Sequence, residues 1–272
     1  MAFLGFGKGY AKEGPGVKKN APQKRGFIRF FEIYFRKFGG IIKANLMFVL
    51  FSLPVVTAGA SWAALTFVMR EYAKEQHSFI FSDFWEHFRK NWKQAFPAGL
   101  AGLAISLITG FSLYFYWLNS GLGTYMYILL GLSLMIGVIF LFASYYVYLM
   151  IITLDLKLGA IFKNAMIFSI AGLKQNVFVI LGTALALAVP LGLMYFYDIS
   201  IGILVLLLLY ALLLPATLCF LICFNCYPVI EKYCIDPYYE AHPEEDRRGR
   251  GTDTDTLFSD EFVIKDSKGN RL

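Results

Sequence analysis

Four stretches of this chain carry no Asp, Glu, Lys or Arg: Ala44 to Met69 (26 residues), Gln94 to Leu154 (61), Gln175 to Tyr197 (23) and Ile199 to Ile230 (32). About 20 apolar residues cross a bilayer as a helix. In lipid every backbone N–H and C=O must be satisfied within the protein, which leaves helices and closed barrels as the spanning structures. The runs therefore predict an all-α polytopic membrane bundle with five full or partial spans. A broken or re-entrant N-terminal hairpin and amphipathic interfacial helices accompany them. With 16% charged residues against roughly 25% in soluble domains, the composition argues against a freely soluble enzyme.

Three regions are expected: a basic, Gly- and Pro-rich head (1–25), a membrane domain (26–235) and a polar tail (236–272). The head lacks the continuous apolar core and small-residue cleavage site of a signal peptide. Residues 240–272 hold nine acids and six bases and few apolar side chains, the composition of a weakly ordered tail. Cys219, Cys223, Cys226 and Cys234 fall in or just after the last apolar run, which is no disulfide framework.

Basic residues predict the topology, because cytoplasmic flanks of membrane helices carry their excess. Residues 1–43 carry ten, 70–93 five, 155–174 three and 231–272 seven, whereas the loops 119–124 and 198–201 carry none and read as external. All 25 are cytoplasmic, and both termini with them, if the first apolar run returns to its starting side. Leu53-Pro54-Val55-Val56-Thr57-Ala58-Gly59 offers the place to turn, since Pro removes a helical donor and Gly loosens the ladder. The alternative is one Pro-kinked span with the termini on opposite sides.

Two aromatic segments read as interfacial helices. In 26–40, Phe27, Phe30, Phe31, Tyr34, Phe35 and Phe38 recur at spacings of three and four between Arg29, Glu32, Arg36 and Lys37. In 81–96, Phe81, Phe84, Trp85, Phe88, Trp92 and Phe96 do the same, with Ser82-Asp83 as the expected N-cap signal. That element is predicted as a surface helix leading into a span at 94–118. The segment 155–176 is expected on the membrane surface, and Ile199 to Tyr227 as one span antiparallel to the one before it.

The residues assign no catalytic, cofactor-binding or metal-ligating set. No charge lies at mid-span, where an ionisable group is costly and kept for a task. His77, His87 and His242 form no ligand pattern. Cys219, Cys223 and Cys226 share one helix face, readable as a soft-metal cluster or as small residues at a packing face. Phosphate-loop and serine-elbow motifs are missing, and the basic head suits anionic lipid better than nucleic acid.

The run Asn45-Leu46, then Leu50-Phe51-Ser52-Leu53-Pro54-Val55-Val56-Thr57-Ala58-Gly59, resembles the signature of the YesL-like family, bacterial membrane proteins with a domain of unknown function. Phe84 with Phe88-Arg89-Lys90-Asn91-Trp92, and Lys163-Asn164-Ala165, extend the resemblance over about 26–235. It implies a multi-pass protein of the bacterial cytoplasmic membrane, often associated with carbohydrate uptake and without transferable catalytic residues.

Three functions compete: a non-enzymatic accessory or scaffold protein whose partners are the bilayer and a membrane transporter or other membrane subunits; a small permease with its path at the broken helix; and an intramembrane enzyme, for which no acid, base or nucleophile set is at hand. The positions singled out are Asn45, Pro54, Thr57 and Gly59 at the hairpin, with Asn91, Asp155 and Asn164 at the cytoplasmic face. Helix breaking and capping is the alternative role for all but Asp155, whose alternative is an interfacial carboxylate at a span end with no special role.

Overall fold

The computed structural model describes residues 26–242; the head 1–25 and the tail beyond 242 lie outside them. Among the described residues every regular element is helical. In order these are α1 (Gly26–Arg36), α2 (Phe38–Ser52), α3 (Ala58–Ala73), α4 (Ile80–Leu118), α5 (Thr124–Thr153), α6 (Leu158–Ala171), α7 (Leu173–Phe196), α8 (Ile199–Leu212), α9 (Leu214–Ile230) and α10 (Asp236–Ala241). The stretches Ile80–Leu118, Thr124–Thr153, Leu173–Phe196 and Leu214–Ala241 are long and apolar enough to cross a membrane. The chain is an all-α helical membrane bundle.

The first apolar run is broken where Pro54 stands. Helix α2 ends at Ser52, a single 3-10 turn covers Val55–Thr57, and α3 starts at Ala58. The arms fold back on each other, because residues equidistant from the tip meet: Phe48 stacks edge-on with Trp62 at 5.5 Å, and Lys37 lies 5.2 Å from the Tyr72 ring centre. A single kinked span would leave these pairs far apart. Helix α3 is the inner arm, with Ala63, Ala64, Leu65, Val68 and Met69 fully enclosed.

Four expectations are corrected. The segment 81–96 is not a separate helix but the first part of the 39-residue α4, which runs on through Pro97. Its apolar stripe, with Phe84, Ala95 and Ala98 buried, is long enough for tertiary packing to hold the ladder across the one hydrogen bond that Pro97 omits. The helix starts at Ile80 rather than after Ser82-Asp83. Asp83 instead reaches back to accept the Phe79 N–H at 2.8 Å and the Ser78 hydroxyl at 2.7 Å, so it satisfies a free donor from inside the first turn. The segment 155–176 folds back along α5 as α6, burying Ile161, Ala165 and Phe168, with Phe168 5.6 Å from Tyr146.

The fourth correction concerns Ile199 to Tyr227, which is two helices. Pro215 cannot donate to the carbonyl of Ala211, and Leu213 leaves helical geometry at φ −148°. The 14-residue α8 is then about 21 Å long, short of the roughly 30 Å hydrocarbon core. Its start is capped by Asp198, which accepts the Ser200 N–H at 2.6 Å. Helices α7 and α8 are antiparallel as expected, packed so closely at Gly202 that a side chain there would strike Met194.

A second packing unit begins at Pro228. It contains the end of α9, a π-helical turn Glu231–Ile235, and α10, whose first turn holds Pro237 where its missing N–H costs nothing.

Candidate functional site

Apolar surroundings make every unsatisfied backbone group expensive, so each helix break in such a chain needs a polar partner. Two buried asparagines supply them. Asn45, on α2 and fully buried, donates its Nδ2 to the carbonyls of Tyr210 at 3.0 Å and Ala211 at 2.9 Å, and its Oδ1 accepts the Ala216 N–H at 2.8 Å. Those are groups that Pro215 and the break at Leu213 release. One side chain caps the end of α8 and the start of α9 together.

Asn176, on α7, does the same at the break between α6 and α7. Its Nδ2 donates to the Ser169 carbonyl at 3.0 Å, and its Oδ1 accepts the Tyr146 hydroxyl of α5 at 2.9 Å. Gly172 lies at this break because a Cβ there would collide with the same Tyr146 hydroxyl. In the sequence Asn176 is only the last residue of the segment 155–176. An amide four residues after a glycine, at the start of an uncharged run, is the signal that was there to find.

Thr57 closes the hairpin tip, its hydroxyl within 2.6 Å of the Phe51 carbonyl and 2.8 Å of the Pro54 carbonyl, while Pro54 itself is exposed. Gly59 is buried where α3 crosses α4, and a Cβ there would run into the Ala95 carbonyl. Small residues allow that backbone approach. Asn45, Thr57 and Gly59 therefore all act on the hairpin and its neighbours.

The other three positions are not brought together with them. Asn91 donates to the His87 carbonyl of its own helix at 3.1 Å. Asp155 is exposed in the α5–α6 connection, and Asn164 is half-buried on α6. Neither forms a side-chain hydrogen bond among the described residues.

Cys219, Cys223 and Cys226 form a packing face. The first two thiols approach Thr66 of α3 at its hydroxyl (3.5 Å) and its carbonyl (3.6 Å), and the third approaches the Asn176 Oδ1 at 3.7 Å. Among the described residues no three His, Cys, Asp or Glu side chains stand close enough to share a metal ion.

Charge collects at the base of the hairpin. Arg70 pairs with Glu71 at 2.8 Å, and its Nη1 donates to the Thr153 hydroxyl at 3.0 Å and the Ile152 carbonyl at 3.3 Å. This caps the last turn of α5, where a cation suits the helix dipole. Glu75 follows α3 with φ 61°, the left-handed conformation usually taken by glycine at a helix end. Its carboxylate holds Arg36 at 2.6 Å and Arg29 at 3.0 Å, tying α1 to the hairpin. Arg36 first, and then Arg29, hold this carboxyl below its usual value against the opposing effect of burial.

The hairpin tip also forms one wall of an apolar groove of about 1040 Å³. It runs between α4 and α5, with Trp62, Gly102 and Tyr148 among its lining residues.

Residues 41–113 match the family described as "Protein of unknown function, DUF624", the family to which YesL-like proteins belong. The matched stretch covers the hairpin, with Asn45, Pro54, Thr57 and Gly59, and the greater part of α4. No curated protein and no solved structure matches the chain.

Proposed function

We propose that the protein is a non-enzymatic accessory or scaffold subunit of the bacterial cytoplasmic membrane, with both termini on the cytoplasmic side, serving a carbohydrate-uptake system. The observation that carries this reading is how the buried polar side chains are used. Asn45, Asn176 and the Arg70–Glu71 pair are engaged in hydrogen bonds that close helix breaks and ends, and the buried Thr66 hydroxyl is taken up by the Trp62 carbonyl of its own helix at 2.7 Å. A transport path draws on such groups to replace a substrate's water, and a scaffold has no need to.

The outer faces support the same reading. Helix α1 packs Ile33 and Tyr34 inward, the Tyr34 hydroxyl 2.9 Å from that of Thr217, yet leaves Phe27, Ile28 and Phe35 open. The first part of α4 does likewise with Phe81 and Trp92. Aromatic residues left open on helices that already have a packed side suit lipid headgroups or a partner subunit.

The small-permease reading, with its path at the broken N-terminal helix, has the α2–α3 break in its favour, since discontinuous helices line substrate paths in transporters. Purification of the tagged protein in mild detergent at native expression, with mass spectrometry of what accompanies it, separates the two. A transporter recovered in stoichiometric amount supports the accessory role. Recovery of the protein alone, together with sugar flux in proteoliposomes, overturns it.

A further inference from the structure

The groove between α4 and α5 is a recess in the apolar surface, with charged side chains beyond one of its ends. Only 6% and 11% of the apolar windows of these two helices are buried, so the groove opens on faces that meet acyl chains. Gly102 forms part of its floor, and a Cβ there would have nothing within 4 Å. That leaves a channel wide enough for a chain to lie in. From Phe96 to Leu113 on α4 it extends about 26 Å at 1.5 Å per residue, close to the hydrocarbon thickness of the bilayer.

Hydroxyls of Ser106, Thr109 and Ser144 line its middle, and a tyrosine stands at the end that leads to the charged part of α4. Tyr148, on the α5 wall beside Gly99 and Trp62, makes no hydrogen bond through its hydroxyl among the described residues. Beyond Phe96 the same side of α4 continues to Lys93 and Arg89, three and seven residues earlier. Among the described residues neither forms an ion pair, and Arg89 rests 5.9 Å above the Trp85 ring. An apolar trough ending in a hydroxyl with no hydrogen bond and two cations with no ion pair among the described residues is complementary to a chain that ends in an ester carbonyl and a phosphate.

We propose that this groove is a binding site for one anionic phospholipid. An acyl chain lies along Leu100, Gly102 and Leu103, the Tyr148 hydroxyl donates to an ester carbonyl, and Lys93 with Arg89 holds the headgroup phosphate. This goes beyond the accessory role and does not depend on it, because the lipid would be retained whatever partner the protein serves.

Trp62 lines the groove and reports on its occupant. The full chain, with Trp85, Trp92 and Trp117 replaced by Phe, is reconstituted into bilayers doped with phosphatidylglycerol or phosphatidylcholine brominated on the acyl chains. The expected result is several-fold stronger quenching of Trp62 by the anionic lipid. Gly102→Phe, which fills the floor, abolishes the difference, and Lys93→Gln with Arg89→Gln removes the headgroup preference while leaving chain quenching. Leu107→Phe, on an exposed position outside the groove, is the folding control and leaves both unchanged. Equal quenching by the two lipids, or a preference that survives Gly102→Phe in a protein as monodisperse as the Leu107→Phe control, means ordinary boundary lipid and overturns the proposal.

Discussion

The side chain of Asn45 holds the backbone of Ala216, 171 positions away, by accepting its N–H at 2.8 Å. The same amide donates to the two carbonyls on the other side of the helix break. The first arm of the hairpin is thereby the clamp that allows α8 and α9 to be separate helices within one apolar run.

Replacing Asn45 strands three backbone groups in apolar surroundings. A buried group left unsatisfied costs about 1–3 kcal/mol, so Asn45→Ala is expected to destabilise by roughly 3 kcal/mol or more. Asn45→Asp is expected to be worse, because a carboxylate would face the Tyr210 and Ala211 carbonyls without a proton to offer. Thermal unfolding in detergent reads both, and an unchanged Tm for either would show that the break is held by something else.

At the second break, Tyr146→Phe removes one hydrogen bond and should cost about 1 kcal/mol, whereas Asn176→Leu also frees the Ser169 carbonyl and should cost about 2–3 kcal/mol. The double variant is expected to be less destabilised than the sum, since the two share the bond at 2.9 Å. Strict additivity in a double-mutant cycle would deny the coupling.

Two glycines on neighbouring helices should answer alanine in opposite directions. Gly59→Ala forces α3 away from the Ala95 carbonyl and is expected to cost several kcal/mol or prevent folding, while Gly102→Ala enters open space and gains up to about 1 kcal/mol of helix propensity. Expression level and melting temperature of the pair test this. Equal effects would mean that the close crossing of α3 and α4 does not exist.

Acidification should loosen α1 from the hairpin. Because its arginine partners lower the Glu75 carboxyl, their contribution is complete above the ordinary glutamate value of 4.5 and is lost as pH falls through the lower folded value. The pairs are exposed, so the effect is modest. Wild type is expected to lose more stability than Glu75→Gln between neutral and acidic pH, and parallel pH profiles would remove Glu75 from the account. Glu75→Gly adds a contrast: it relieves the left-handed backbone strain while losing both arginines.

Much of the architecture was legible. Long uncharged runs marked the membrane helices, Pro54 and Gly59 marked the hairpin, and Asn45 and Thr57 stood out as polar groups in apolar sequence beside a break. What misled was boundary assignment. The 81–96 stripe looked self-contained because its polar face ends near Pro97, yet packing against α3 carries the helix through. The run from Ile199 looked continuous because Leu213-Leu214-Pro215 is as apolar as its flanks, and a single proline does not say whether a helix bends or parts.

By itself the sequence determined that the chain is helical and membrane-borne, for a local reason: hydropathy and backbone satisfaction in lipid are settled segment by segment. Only the tertiary structure decided which asparagine serves which break, since Asn45 finds its partners at 210–216 and Asn176 its own on α5 and α6. Those choices depend on which surfaces meet once the helices pack. A buried amide satisfies whatever carbonyl and N–H the fold delivers within 3 Å of it, and sequence spacing carries no record of that distance.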